Sequence, residues 1–129
     1  MPKKRFLRQV CCRANAYDLR LIARQRNPPT PWLILSEEAP GAARLRADAV
    51  LMAAHWDYEL SIKHRILAAG SLRSDDGLPP AGSLLLVGAD SRDAAMALIR
   101  ADPATAAGLR GSITIRYWNA AILDRREVG

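Results

Sequence analysis

From Trp32 onward, short apolar runs alternate with longer amphipathic stretches. Trp32, Leu33, Ile34 and Leu35 form a run closed by Glu37, Glu38 and Pro40, which predicts a short buried strand. At about 100° per residue, Leu45, Ala49, Met52, Trp56 and Leu60 fall in one stripe with Ala54, Asp57 and Ser61 opposite. That spacing predicts one long helix whose stripe packs on a sheet. Residues 66–72 predict a second strand, residues 74–81, with Asp76-Gly77 and Pro79-Pro80, a turn-rich loop, and residues 82–87 a third strand. Asp90 or Ser91 is placed to cap a second helix through Arg100, with Ala95, Leu98 and Ile99 facing inward. Asp102-Pro103 ends it, and residues 112–117 alternate as a half-buried fourth strand should.

The resulting order, β-α-β-β-α-β, predicts an α+β fold of the ferredoxin-like kind, a four-stranded antiparallel sheet with two helices on one face. The other face then needs water or a partner. Leu84 and Leu86 are opposed to Leu85 and Val87, so the third strand is aliphatic at both parities. A solvated face would be polar at one parity. The pattern therefore predicts a homodimer packed sheet to sheet.

The 129 residues, half of them hydrophobic and a quarter charged, suit one globular domain. No apolar run approaches the roughly 18 residues that a membrane-spanning helix needs, so no membrane association is expected. The formal charge of +6 is unevenly placed. Residues 1–30 hold eight basic side chains against Asp18 alone, and the remainder holds eleven basic against twelve acidic. The basic balance thus belongs to an N-terminal arm, residues 1–31, which ends in the linker Asn27-Pro28-Pro29-Thr30-Pro31 and has room for a short helix over residues 17–24. A domain over residues 32–120 and a tail over 121–129 follow. The arm reads as a dispensable tail, a targeting segment or a stretch upstream of the true start; its first 30 residues lack serine, which argues against targeting. Cys11 and Cys12 are adjacent and cannot readily bridge each other, and no cysteine follows, so the cytoplasm is the expected compartment. Nucleic acid is expected only through the arm. The third strand offers aliphatics rather than stacking aromatics, and Tyr117 and Trp118 are too few for a platform.

Several pieces, taken in order, resemble the YCII-related domain family: His55-Trp56-Asp57-Tyr58-Glu59-Leu60, Ile66-Leu67-Ala68-Ala69-Gly70, Gly82-Ser83, Ala101-Asp102-Pro103, Ala107-Gly108-Leu109 and Ile115-Arg116-Tyr117-Trp118. The resemblance covers roughly residues 32–120 and implies the dimeric α/β barrel form of the ferredoxin-like fold. It also implies a histidine and an aspartate as working residues, here His55 and Asp102. Some members and fold relatives act on small unsaturated lactones or muconate-type compounds by isomerisation or dehydrochlorination. The chain departs from the pattern at Ala104, where an aromatic residue usually follows Asp-Pro, which puts one pocket wall in doubt. The arm before Pro31 has no counterpart in the pattern either.

His55 lies about 80° from the centre of the helix stripe, on the flank it shares with Asp48, Tyr58 and Glu59. An imidazole at such an edge can reach both a pocket and water, and a carboxylate on one ring nitrogen leaves the other free to take a proton. Asp102 is the candidate partner, although Asp-Pro followed by Gly108 is also a well-formed cap and terminator for a short helix. Ser83, which can offer a hydroxyl to a polar substrate, and Tyr58 are the binding candidates. His64, nine positions after His55, matches no zinc spacing, and no glycine-rich phosphate cradle occurs, so neither metal nor cofactor is expected. The expected function is proton transfer on a small anionic or carbonyl-bearing metabolite. A non-catalytic ligand-binding or interaction module of the same fold is the alternative, and nucleic-acid binding through the arm the second.

Overall fold

The computed structural model describes residues 30–77 and 80–128. The arm up to residue 29, with its cysteines and expected helix, lies outside them. Strand β1 (Thr30–Glu38) runs through the middle of a four-stranded antiparallel sheet, between β3 (Pro80–Ala89) and β4 (Arg110–Tyr117), with β2 (Ile66–Arg73) on the far edge of β3. This is the ferredoxin-like sheet that the apolar pattern predicts. Thr30 and Pro31, expected in the linker, instead open β1, where the Pro31 carbonyl accepts from the Trp118 N–H at 3.1 Å. Proline is tolerated at the beginning of a strand because little of the hydrogen-bond ladder depends on its missing N–H.

The single long helix of the sequence reading is two helices. Helix α1 (Ala42–Arg46) stops before Asp48, which adopts an extended backbone and caps α2 (Ala49–Ser61) by accepting from the Leu51 N–H at 3.0 Å. The apolar stripe also divides, which corrects the expectation that all of it packs on the sheet. Leu45 and Met52 pack on a small cluster of Ala42, Ala104 and Leu109. Trp56 and Leu60, further along, keep 57% and 42% of their surface exposed. The physical reason lies in α4 (Pro103–Ala106), whose small side chains let the first half of α2 approach closely, while the second half stands off the sheet and leaves a cavity. Helix α3 (Arg92–Arg100) is capped by the Ser91 hydroxyl, which accepts from the Ala94 N–H at 3.0 Å. It buries Ala95 and Ile99 against Ile34, Leu85, Val87 and Ile115.

Register assigns the two sheet faces. Trp32, Ile34 and Ser36 point toward the helices with Leu85, Val87 and Ile115, while Leu33, Leu35, Leu84 and Leu86 lie half-buried on the opposite face. Within the expected tail, β5 (Ile122–Leu123) and β6 (Arg126–Glu127) form a hairpin. Its turn residues Asp124 and Arg125 have φ of 51° and 63°, the positive values that two-residue hairpin turns require.

Candidate active site

The site is assembled from three local features. His55 sits midway along α2, on the flank that its spacing places at the edge of the apolar stripe. Asp102 closes the turn after α3 and caps α4, accepting from the Ala104 N–H at 2.9 Å with Pro103 as the first helical residue. Gly108, at φ 91°, then turns the chain so that Leu109 is buried and Arg110 opens β4.

These features converge on one carboxylate. His55 Nδ1 lies 2.9 Å from Asp102 Oδ1 and 2.8 Å from Oδ2, and Arg110 Nη2 donates to Oδ2 at 3.0 Å. Asp102 is 1% exposed. Burial alone would raise its pKa, but the hydrogen bond from His55, the bond from the Ala104 N–H, the charge of the imidazole and the bond from Arg110 outweigh it and hold the carboxyl below its ordinary value. An ionised Asp102 accepts the Nδ1 proton, which fixes the His55 tautomer and leaves Nε2 as the acceptor. Glu59, one turn on, stands 3.7 Å from Nε2.

Arg110 was not singled out in the sequence, yet it ties the site together. Besides Asp102 it donates to the Thr105 hydroxyl at 2.8 Å through Nε, and through Nη1 to Ser36 at 2.8 Å and Ser83 at 2.6 Å. The two serines pair directly across β1 and β3, their hydroxyl oxygens 2.7 Å apart. The signal in the sequence is Ser36 itself, a polar residue at the same parity as Trp32 and Ile34, because a buried hydroxyl needs a partner.

A cavity of about 370 Å³ lies between the second half of α2 and strands β2 and β3. His55, Ser83 and Arg110 form part of its polar lining, Trp56 and Leu60 part of its apolar wall, and Lys63 lines it from the 3-10 turn just after α2. Tyr58 takes no part in that lining. Its hydroxyl donates to the Leu98 carbonyl at 2.6 Å, tying α2 to α3, and burial followed by the Asp102 charge raises its pKa. Ala104 is fully buried against Ala42 and Leu109 and lies away from the cavity, so the missing aromatic does not open a pocket wall. His55, Glu59 and Asp102 bring donor atoms within 4.8 Å of one another. Asp102 is already engaged by three donors, one of them the Arg110 cation, and it stands at Nδ1 while Glu59 stands at Nε2, so the set forms a hydrogen-bond network better than a cation cage.

A ferredoxin-like sheet with a buried His–Asp–Arg network beside a cavity defines a small pocket-bearing α+β domain. The YCII-related domain profile matches residues 30–119, and the chain belongs to that family. No curated protein matches the sequence. Among solved structures, the chain is similar to the 5-chloro-2-hydroxyhydroquinone dehydrochlorinase TftG from Burkholderia phenoliruptrix AC1100, in complex with 2,5-dihydroxybenzoquinone. The two are 29% identical with a TM-score of 0.60, over 69% of this chain and 93% of that one. Among the described residues, no helix is long and apolar enough to cross a membrane.

Proposed function

We propose that this chain is a cofactor-independent small-molecule enzyme in which His55 and Asp102 perform general acid/base proton transfer, with dehydrochlorination of an oxygenated ring as the concrete reaction. The observation that carries this reading is the approach of His55 Nδ1 to both Asp102 oxygens, at 2.9 and 2.8 Å, on a residue that lines the cavity. The activity printed for the similar structure supports the reaction class. His55 Nε2 takes the proton of a ring hydroxyl, whose O–H pair becomes a C=O double bond while the chlorine-bearing ring carbon takes up a proton; loss of a second hydroxyl proton then forms the second C=O, and the C–Cl pair leaves as chloride. Asp102 stabilises the resulting imidazolium, which returns its proton to water. The sum is loss of HCl, with no oxidant or reductant. Isomerisation of a lactone or muconate-type compound uses the same base, with the proton returned to another carbon.

The protein acts in this reading as a cytoplasmic homodimer packed through the face that carries Leu33, Leu35, Leu84 and Leu86. Because Ala104 faces away from the cavity, it lends no support to a non-catalytic module. The test is chloride release from 5-chloro-2-hydroxyhydroquinone by the full chain. His55→Ala is expected to lower kcat about 10²-fold or more, the range for a general base. Full turnover by that variant overturns the proposal.

A further inference from the structure

His55 and Glu59 leave two proton acceptors side by side with no proton between them. A neutral imidazole carries one N–H, and Asp102 accepts it at Nδ1, so Nε2 offers only a lone pair. Glu59 Oε1 stands 3.7 Å from Nε2, beyond hydrogen-bond reach, and an ionised carboxylate can only accept. Its side chain is 16% exposed and lines the cavity. Of the cations on the same wall, Arg46 donates to Glu38, Arg110 donates to Asp102, and Lys63 makes no ion pair among the described residues. Glu59 likewise has no hydrogen-bond donor among them. An ordinary i, i+4 helix pair lies in water and needs no donor from the protein. Here both groups face the cavity, so the donors that complete them come from what the cavity holds.

We infer that Glu59 is a second catalytic proton acceptor beside His55, and that the two together select a ring with hydroxyl groups on adjacent carbons. Such a ring presents two donors side by side, one for Nε2 and one for the carboxylate. A lone hydroxyl, or two at opposite ends of a ring, fills one acceptor and leaves the other desolvated and bare. The inference rests on the proposed acid/base reading and narrows its substrate. His55 takes the proton of one hydroxyl, whose O–H pair forms the first C=O, and the chlorine-bearing carbon para to it takes a proton from water. Glu59 takes the proton of the adjacent hydroxyl. That O–H pair forms the second C=O, the ring double bond shifts by one position, and the C–Cl pair leaves as chloride. The imidazolium neutralises the hydroxide left by water, and the Glu59 proton departs with chloride, so the balance is loss of HCl. With two bases for two hydroxyl protons, His55 need not be reset in mid-reaction.

The experiment uses the full chain with Glu59→Gln and Glu59→Leu. Calorimetry reads the Kd of benzene-1,2-diol and of benzene-1,4-diol, which carry no chlorine and do not turn over, and a chloride assay reads kcat with 5-chloro-2-hydroxyhydroquinone. The unaltered chain is expected to bind the 1,2-diol roughly 10-fold or more tighter than the 1,4-diol, the range for one hydrogen bond to a charged group. Glu59→Leu, which removes the acceptor, should abolish that preference. Glu59→Gln keeps an amide oxygen that accepts a hydrogen bond but takes no proton, so it should retain part of the preference while kcat falls about 10²-fold. A merely structural Glu59 would move both diols together. Equal affinities for the two diols in the unaltered chain, or a preference that survives Glu59→Leu, overturn the inference. Chloride release that needs His55 but is unchanged in Glu59→Gln overturns the role of Glu59 as a base while leaving the proposed function standing. A 1,2-diol preference that depends on Glu59, with no chloride release by the unaltered chain, supports the selection and overturns the proposed reaction.

Discussion

Arg110 and Asp102 meet as a buried ion pair, 3.0 Å from nitrogen to oxygen, with side chains 3% and 2% exposed. Such a pair adds little over a well-packed apolar substitute, but the loss of one partner strands the other. Arg110→Met should therefore destabilise the domain by about 3–5 kcal/mol, the range for breaking a buried pair. Arg110→Lys should recover only part of this, because a point-charge ammonium cannot serve Asp102, Thr105, Ser36 and Ser83 together. Urea unfolding checks both; an Arg110→Met loss under about 1 kcal/mol would show the pair to be dispensable.

The depressed pKa of Asp102 links stability to pH. A carboxyl whose folded pKa lies below its unfolded value stabilises the fold above the unfolded value, and that contribution is lost as pH falls through the folded one. The reference value is 3.8. The stability gap between the unaltered chain and Asp102→Asn should be widest above about pH 5 and narrow progressively below pH 4. Urea titrations across that window measure it, and a gap that stays constant or widens on acidification contradicts the sign.

The local pieces of this site were legible in the sequence, while the pairing of His55 with Asp102 came from the resemblance to the YCII-related family. Asp102, Pro103 and Gly108 spell a cap, a first helical residue and a terminator within seven positions, and His55 falls on a definite flank of a periodic stripe. Ser91 was readable as a cap for the same reason. Arg110 was not, because its partners come from β1, β3, the cap of α4 and α4 itself, and the register that unites them is a tertiary property. Asp48 was misread for a different reason. An aspartate in an amphipathic stretch looks like one more solvated position until its backbone is seen to be extended. The standing-off of α2 was also hidden, since an apolar stripe records what avoids water and not whether it meets a sheet or a cavity.

Trp56 illustrates that last point and gives the third prediction. It lies on the cavity wall with 57% of its surface exposed, so its removal should cost little stability. An aromatic wall contributes about 0.5–1.5 kcal/mol to a stacked ring beyond area burial. Trp56→Ala should hence weaken 2,5-dihydroxybenzoquinone binding by roughly 3- to 10-fold. Calorimetric titration alongside thermal melts separates the effects; unchanged binding would remove Trp56 from the ligand surface.

The outer sheet face supplies the fourth. Leu84 and Leu86 in β3 stand beside Leu33 and Leu35 in β1, all half-buried and all on the face away from the core. In the sheet-to-sheet dimer proposed above, a charge at Leu84 would be buried against the partner without a counter-ion. Leu84→Asp should shift the protein from twice the chain mass to the chain mass in size-exclusion chromatography with light scattering, while secondary structure by circular dichroism is retained. A monomer before substitution at micromolar concentration would remove the dimer altogether.

Gly82 sits next to the serine pair, opposite Glu37 of β1. A Cβ built at this position would lie 2.1 Å from the Ser36 carbonyl oxygen, so β1 and β3 can approach this closely only with glycine there. The obstacle is backbone, which cannot move aside as a flexible side chain would. Gly82→Ala must therefore push the strands apart beside Ser36 and Ser83, and overpacking of this kind costs about 1–3 kcal/mol or more. The same displacement lengthens the contact between the Ser36 and Ser83 hydroxyls. The variant should lose stability in urea and, where it still folds, lose quinone affinity together with it. A variant as stable as the parent would mean that β1 and β3 meet less tightly at Gly82 than their register here requires.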